Sequence, residues 1–346
     1  MARPFESLAR SSQLKRLREL AFPTLERHGV ETRGIRLVQY EDNAVFLVDA
    51  GSAKYVLRMS VRHSRSPQEQ RSELAWLAAL ASEKAVLVPK SAGEGRVITQ
   101  PLAGWPEPVT SVVFEWIPGT TAPSYSSPGV AEQLGRLTAS LHDHAHRYRP
   151  PAEFARPSWN FDDVFTGGAA LADPKARARL DRAELDLLGR VSAMVRDRMP
   201  DRTPADWGLS HADLHRGNLV RTPGGDTAVI DFDDCGWGYY ALDIATVLSS
   251  VLRVCDARSY ARFAAGYLRG YRAVRELPPA MARFDEFLVM RDMIILNFVL
   301  SSANEAVLSW GPGRAKEIFE LMRAYAETGE YAGHLDVTGM SRTAPA

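Results

Sequence analysis

The block from His211 to Asp234 limits what this chain can fold into more than any other stretch. It reads His-Ala-Asp-Leu-His-Arg-Gly-Asn-Leu-Val-Arg, then a Thr-Pro-Gly-Gly-Asp turn, then Thr-Ala-Val-Ile-Asp-Phe-Asp-Asp. Asp213 and Asn218 stand five residues apart, and Asp231 closes the apolar run Ala228–Ile230. Isolated Asp and Asn residues are favoured in turns for backbone reasons alone. Here the pattern instead places three oxygen-bearing side chains on two adjacent strand ends. One carboxylate is free to receive or orient a hydroxyl, and an amide and a second carboxylate supply the hard oxygen ligands that Mg²⁺ prefers.

The spacing of Asp213 and Asn218 is that of the H-R-D-x-x-x-x-N loop of protein kinases, and Asp231 stands where the D-F-G aspartate stands. The block resembles the family of aminoglycoside phosphotransferases, choline kinases and type II homoserine kinases, whose loop usually reads H-G-D-x-H-x-x-N. The resemblance implies an ATP- and Mg²⁺-dependent O-phosphotransferase with Asp213 as catalytic base and Asn218 and Asp231 as metal ligands. It implies structural roles for His211, bonded to backbone near the metal aspartate, and for Asp243, bracing the catalytic loop. Asp233 is left open between a second metal, a water and a turn cap. Ala212 departs from the family's glycine. Alanine disfavours positive φ, so an ordinary backbone is expected there.

The rest of the chain reads as an α+β, bilobal, protein-kinase-like architecture with a small β-rich N-lobe and a larger helical C-lobe. A helix is predicted over Ser12–His28, bent or ended by Pro23. Strands follow at Ile35–Tyr40, Ala44–Ala50 and Tyr55–Met59. Ser66-Pro67 opens a helix to about Ala81, and strands at Arg96–Gln100 and Thr110–Trp116 complete the first lobe. Helical spacing then dominates: from Gly129, over Pro174–Met199, and over Tyr239–Leu252, Ser259–Val274, Ala280–Leu308 and Gly313–Thr328. The lobes are expected at residues 1–116 and 117–335, with 336–346 a disordered tail.

A nucleotide site of this kind needs a cation over the phosphates and an acid to hold it. Arg58, on the third strand, falls at the V-A-I-K lysine position, where the family often has lysine. Glu73 on the following helix is its expected partner, with Glu69, one turn away, as the rival. The loop Gln39–Ala44 carries no glycine and is not a G-x-G-x-x-G clamp, but places Asn43 near the phosphates. Glu115, Trp116 and Ile117 are expected along the adenine.

Lys plus Arg and Asp plus Glu both number 42, so no basic excess points to nucleic acid. No apolar run approaches membrane-spanning length. The start of the chain lacks a secretory h-region, and two cysteines fit a reducing cytosol. The acceptor is expected to be a small hydroxylated molecule, either an amino alcohol or one that is homoserine-like or aminoglycoside-like. Trp159, Asp234, Trp237, Tyr239 and Arg291 are its candidate contacts. Arg291 and Asp292 are also legible as a paired cation and acid, and His142, His144 and His146 as a weak metal pattern against plain helix packing. The alternatives are a bacterial stress-response-type Ser/Thr protein kinase and a nucleotide-binding pseudokinase.

Overall fold

The first lobe is built by period-two burial. α1 (Arg10–Arg27) precedes three strands, β1 (Gly34–Tyr40), β2 (Asn43–Asp49) and β3 (Lys54–Ser60), then α2 (Pro67–Ser82), β4 (Ile98–Gln100) and β5 (Val109–Glu115). The strands form one antiparallel sheet in the order β1-β2-β3-β5-β4. Leu57, Met59 and Val113 face α1 and share a core with Leu17, Ala21 and Leu25. Their strand neighbours Val56, Val112 and Phe114 belong to the other face and join α2 and the helical lobe in a second core. Because side chains alternate across a strand, Arg58 lies on that second face. α2 begins with a capping box, the Ser66 hydroxyl accepting from Glu69 N and the Glu69 carboxylate from Ser66 N.

The computed structural model describes residues 4–62, 65–92, 95–121 and 128–335. The tail expected to be disordered, 336–346, lies outside them. Beyond β5 come β6 (Thr120–Thr121), α3 (Pro128–Arg147), β7 (Ser158–Trp159), α4 (Ala169–Ala172), α5 (Pro174–Arg177) and α6 (Arg182–Arg198). Next are β8 (Trp207–Ser210), the hairpin β9 (Leu219–Arg221) and β10 (Thr227–Val229), and β11 (Gly236–Tyr239). The chain closes with α7 (Tyr240–Leu252), α8 (Ala257–Arg272), α9 (Phe284–Ser301) and α10 (Glu305–Thr328). α3 and α8 cross at backbone contact: a Cβ on Gly135 would overlap the Tyr267 carbonyl, and one on Gly270 the Glu132 carbonyl. That approach sets Tyr271 of α8 against His142 of α3. Among the described residues no helix is long and apolar enough to cross a membrane.

Pro23 sits inside α1, which runs on past it. The stretch Pro174–Met199, expected to be mostly helix, holds α5 and α6, the latter started by an Asp181–Glu184 capping box. The break placed between Leu308 and Gly313 falls earlier, at Ser302–Asn304, because the Asn304 side chain caps Ala306 N. Pro312 is carried within α10.

Candidate active site

The hairpin brings the two proposed metal ligands together. Ile230 N donates to Asn218 O at 2.9 Å, one rung beyond the β9–β10 ladder, so residues 218 and 231 are neighbours. The Asn218 amide nitrogen donates to both the backbone and the carboxylate of Asp213, each at 3.0 Å, which turns its oxygen the other way. Asp231 takes φ +65°, left-handed for a residue with a Cβ.

Ala212 also takes a positive φ, +64°, which overturns the expectation of an ordinary backbone there. The reason is Asp243. Its carboxylate accepts from His211 N at 2.9 Å and from Ala212 N at 2.7 Å, and only a turned backbone offers two successive N–H groups to one anion. A left-handed alanine costs about 1–2 kcal/mol, offset by two charge-assisted hydrogen bonds. Asp243 also faces His142 Nε2 at 3.1 Å, and His142 Nδ1 meets the Tyr271 hydroxyl at 2.8 Å. Burial alone would raise the Asp243 carboxyl, but the hydrogen bond and charge of His142 leave it below its ordinary value. His211 completes the brace. Its Nδ1 accepts from Asp213 N at 3.3 Å, which assigns the proton to Nε2, the atom facing Ile230 O at 3.1 Å.

Asp213 is ringed by donors. Arg291 Nη2 is 2.7 Å from Oδ1, and His215 Nε2 is 3.3 Å from Oδ2, the oxygen that also accepts from Asn218. Burial pushes the carboxyl up, but Arg291 first and His215 next hold it well below the usual carboxylate range.

Beside Asp231 and Asp233, Arg58 and Glu73 form a buried bidentate pair at 2.8 and 2.5 Å. Glu69 is committed to the α2 cap. The Arg58 guanidinium lies over Phe114 and within 3.5 Å of Asp233 and 4.0 Å of Asp231. Burial opposes its charge, but Glu73 and then Asp233 hold it above its ordinary range. Asp233 accepts from Asn43 Nδ2 at 3.0 Å, so the glycine-free loop is pinned to the cleft floor. Asn304 and Arg62 anchor it further, both donating to Glu41 O, at 2.9 and 2.8 Å.

The donor set suits a hard divalent cation. Among the described residues no three His, Cys, Asp or Glu side chains converge as a cage. Mg²⁺ asks for less, one or two carboxylates completed by phosphate oxygens and water. The Asp231 side chain is 44% exposed to the cleft. Its carboxyl is pushed up to about 7, by desolvation first and by the Asp233 carboxylate next, with Arg58 opposing. Such a carboxylate is short of positive charge, and the Asn218 amide oxygen is a second hard donor beside it.

A cavity of about 910 Å³ opens from this floor, lined by Trp159, Asp234 and Arg291 among others. Trp159 Nε1 donates to Asp234 O at 2.8 Å. The other two acceptor candidates are not brought to it. Trp237 is paired within β11, and Tyr239 is buried against Phe287 with its hydroxyl spent on Pro200 O at 2.6 Å. Glu115, Trp116 and Ile117 lie at and beyond the end of β5, outside this cavity's lining. Arg291 and Asp292 are not a pair. Asp292 turns into the core, where Arg314 and the Tyr331 hydroxyl hold it. The three histidines of α3 diverge to Asp243, Trp76 and Pro204.

Arg65 and Arg156 are site residues that sequence reasoning missed. Arg65 pairs with Asp234 at 2.6 Å, and Arg156 gathers the carbonyls of Cys235, Asp233 and Glu69. Each is a lone arginine in a loop, with no local pattern to announce it.

Amicoumacin kinase of Bacillus subtilis (strain 168) is 26% identical over 282 residues, 78% of this chain and 80% of that one. The structure of the microcompartment-associated aminopropanol kinase is 30% identical with a TM-score of 0.75, covering 91% of this chain and 99% of that one. Amicoumacin kinase hAmiN, in complex with AMP-PNP, Ca²⁺ and Ami, shares the fold at a TM-score of 0.72 and 21% identity over 90% and 96% of the two chains. The profile of the Phosphotransferase enzyme family matches residues 35–277, so this chain belongs to that family.

Proposed function

We propose that this phosphotransferase moves the γ-phosphoryl group of ATP to a hydroxyl of a small molecule, with Asp213 as base and Asn218 and Asp231 as Mg²⁺ ligands. The observation that carries the reading is the convergence of these three side chains on one cleft floor, with Arg58, held by Glu73, 4.0 Å from Asp231. Residues 1–116 would hold the nucleotide and 117–335 the acceptor. When bound, Mg²⁺ supplies neutralisation of the phosphate charge. Asp213 orients the acceptor hydroxyl and takes its proton as the new O–P bond forms and the bond to the departing ADP oxygen breaks. A carboxylate of low proton affinity suits a loose transition state, in which positioning outweighs early proton removal. Arg58 adds a permanent cation at the phosphates, kept in place by Glu73.

The presence of Asp213, Asn218 and Asp231 together argues against a pseudokinase. A cavity of about 910 Å³ beside Asp213 supports a small acceptor over a protein. The names of the relatives, an aminopropanol kinase and amicoumacin kinases, support the same choice. The complex of hAmiN with AMP-PNP and Ca²⁺ supports ATP and a divalent metal. An ATP-consumption screen over amino alcohols, hydroxylated amino acids, sugars, aminoglycosides and proteins tests the reading. Turnover of proteins alone would overturn it.

Two further outcomes are expected. ATP should bind at least tenfold more tightly with Mg²⁺ than without it in calorimetric titration. Equal affinities would remove the Asn218–Asp231 assignment. Arg58→Lys should raise the KM for ATP by about tenfold, or 1.4 kcal/mol, and Glu73→Gln by less. Both act on one contact, so the double variant should fall short of their sum. Full additivity in the kinetic cycle would separate the two residues.

A further inference from the structure

The cavity floor carries Asp213, Asp231, Asp233 and Asp234, two of them paired with Arg291 and Arg65, and its far end, where α7, α9 and α10 meet, carries Arg253 and Arg314 beside an apolar wall that includes Phe298 and Trp310. Arg253 is the residue that ends α7, and its side chain is 30% exposed. Its carboxylate neighbour is Asp292, at 3.9 Å, beyond hydrogen-bonding reach. Both oxygens of Asp292 are already engaged, Oδ1 by Arg314 and Oδ2 by the Tyr331 hydroxyl. Glu317 is half exposed and is held by Arg314 at 2.6 Å. Two guanidinium groups thus share one buried carboxylate, and among the described residues Arg253 is the one left without a close anion. Burial, and next the charge of Arg314, pull its pKa below the ordinary arginine value, whereas Arg58, Arg62 and Arg65 of the same cleft are raised by their acids. A guanidinium in this state presents its planar fork of donors to the cavity.

We propose that Arg253, backed by Arg314, is a carboxylate-binding subsite, and that the acceptor is a small hydroxy acid or hydroxylated amino acid whose hydroxyl reaches Asp213. This rests on the phosphotransferase reading of the cleft. It departs from the aminopropanol kinase that the chain resembles, because aminopropanol has no carboxylate. It also disfavours polycationic acceptors, which would meet two arginines at the far end.

Matched pairs that differ by one carboxylate test the subsite: L-serine against ethanolamine, L-threonine against 1-amino-2-propanol, and L-homoserine against 3-aminopropanol. At least one carboxylate member should be phosphorylated with a kcat/KM ten or more times that of its partner. Arg253→Gln should bring that ratio close to one, and Arg253→Lys should keep part of it, with thermal unfolding showing that both variants are folded. Preference for the amino alcohols, or a ratio unmoved by Arg253→Gln, overturns the subsite and leaves the phosphotransferase reading standing. If neither series turns over, calorimetry with the same amino acids on the protein loaded with AMP-PNP and Mg²⁺ decides. Binding lost in Arg253→Gln supports the subsite while the transfer reading fails, and no binding overturns it.

Discussion

Asp213→Asn is expected to lower turnover by roughly 10²–10⁴, the usual worth of a general acid or base, while the affinity for ATP stays within about threefold. The substitution keeps the size of the side chain and one oxygen for Arg291. It removes the charge that accepts a proton from the acceptor, and it sets a second amide against the donors of Asn218 and His215. The nucleotide should be indifferent, because the proposed metal ligands and Arg58 are untouched. Single-turnover measurements with an acceptor from the screen separate chemistry from release, and thermal unfolding shows whether the crowded amide disturbs the loop. Transfer at the native rate would remove Asp213 from the role of base.

The second large effect is on stability. Asp243→Ala should cost about 3–5 kcal/mol, the usual loss when one partner of a buried charged network is deleted. It strands two backbone N–H groups and His142, all fully buried around the left-handed turn at Ala212. Asp243→Asn retains one oxygen and should cost less. Denaturant unfolding reads the difference, and a loss under about 1 kcal/mol would mean that the loop is held by other means. The same network gives stability a pH sign. Asp243 is depressed in the fold, so its contribution is present above the unfolded value of about 3.9 and is lost as pH falls through the lower folded value. His142 and His211 are also depressed, burial being the first cause. The unfolded chain therefore takes up their protons first, and stability should begin to fall below about pH 6.5.

What could be read in advance follows from how local each signal is. The strands of the first lobe and the α2 cap are written in runs of a few residues, so their positions needed no partner. The cluster of Asp213, Asn218 and Asp231 was legible for the same reason, since one hairpin carries all three. Arg58 with Glu73 was reachable because strand alternation and helix facing each narrow the choice. The backbone at Ala212 was misread because its φ is imposed from Asp243, 31 residues away. Tyr239 was offered to the acceptor because an aromatic near a catalytic block looks available, but its surroundings are set by Trp207 and Phe287. Arg291, an expected acceptor contact, lines the cavity and also pairs with Asp213, a meeting that no local pattern shows because it depends on how α9 packs. The helix break at Asn304 was masked by the louder Gly-Pro-Gly eight residues on.

The guanidinium at position 58 also fixes how this enzyme responds to chemical labelling. Reagents that tag ATP sites by acylating an amine, or trap one as an imine, need a nitrogen that can shed its proton. A lysine in such a cleft does so, and an arginine does not. Arg58 is held above even its ordinary range, and among the described residues no lysine lines the cavity over Asp213 and Asp231. A probe that relies on an amine at position 58 should therefore fail here, and its silence would say nothing about whether the protein binds ATP.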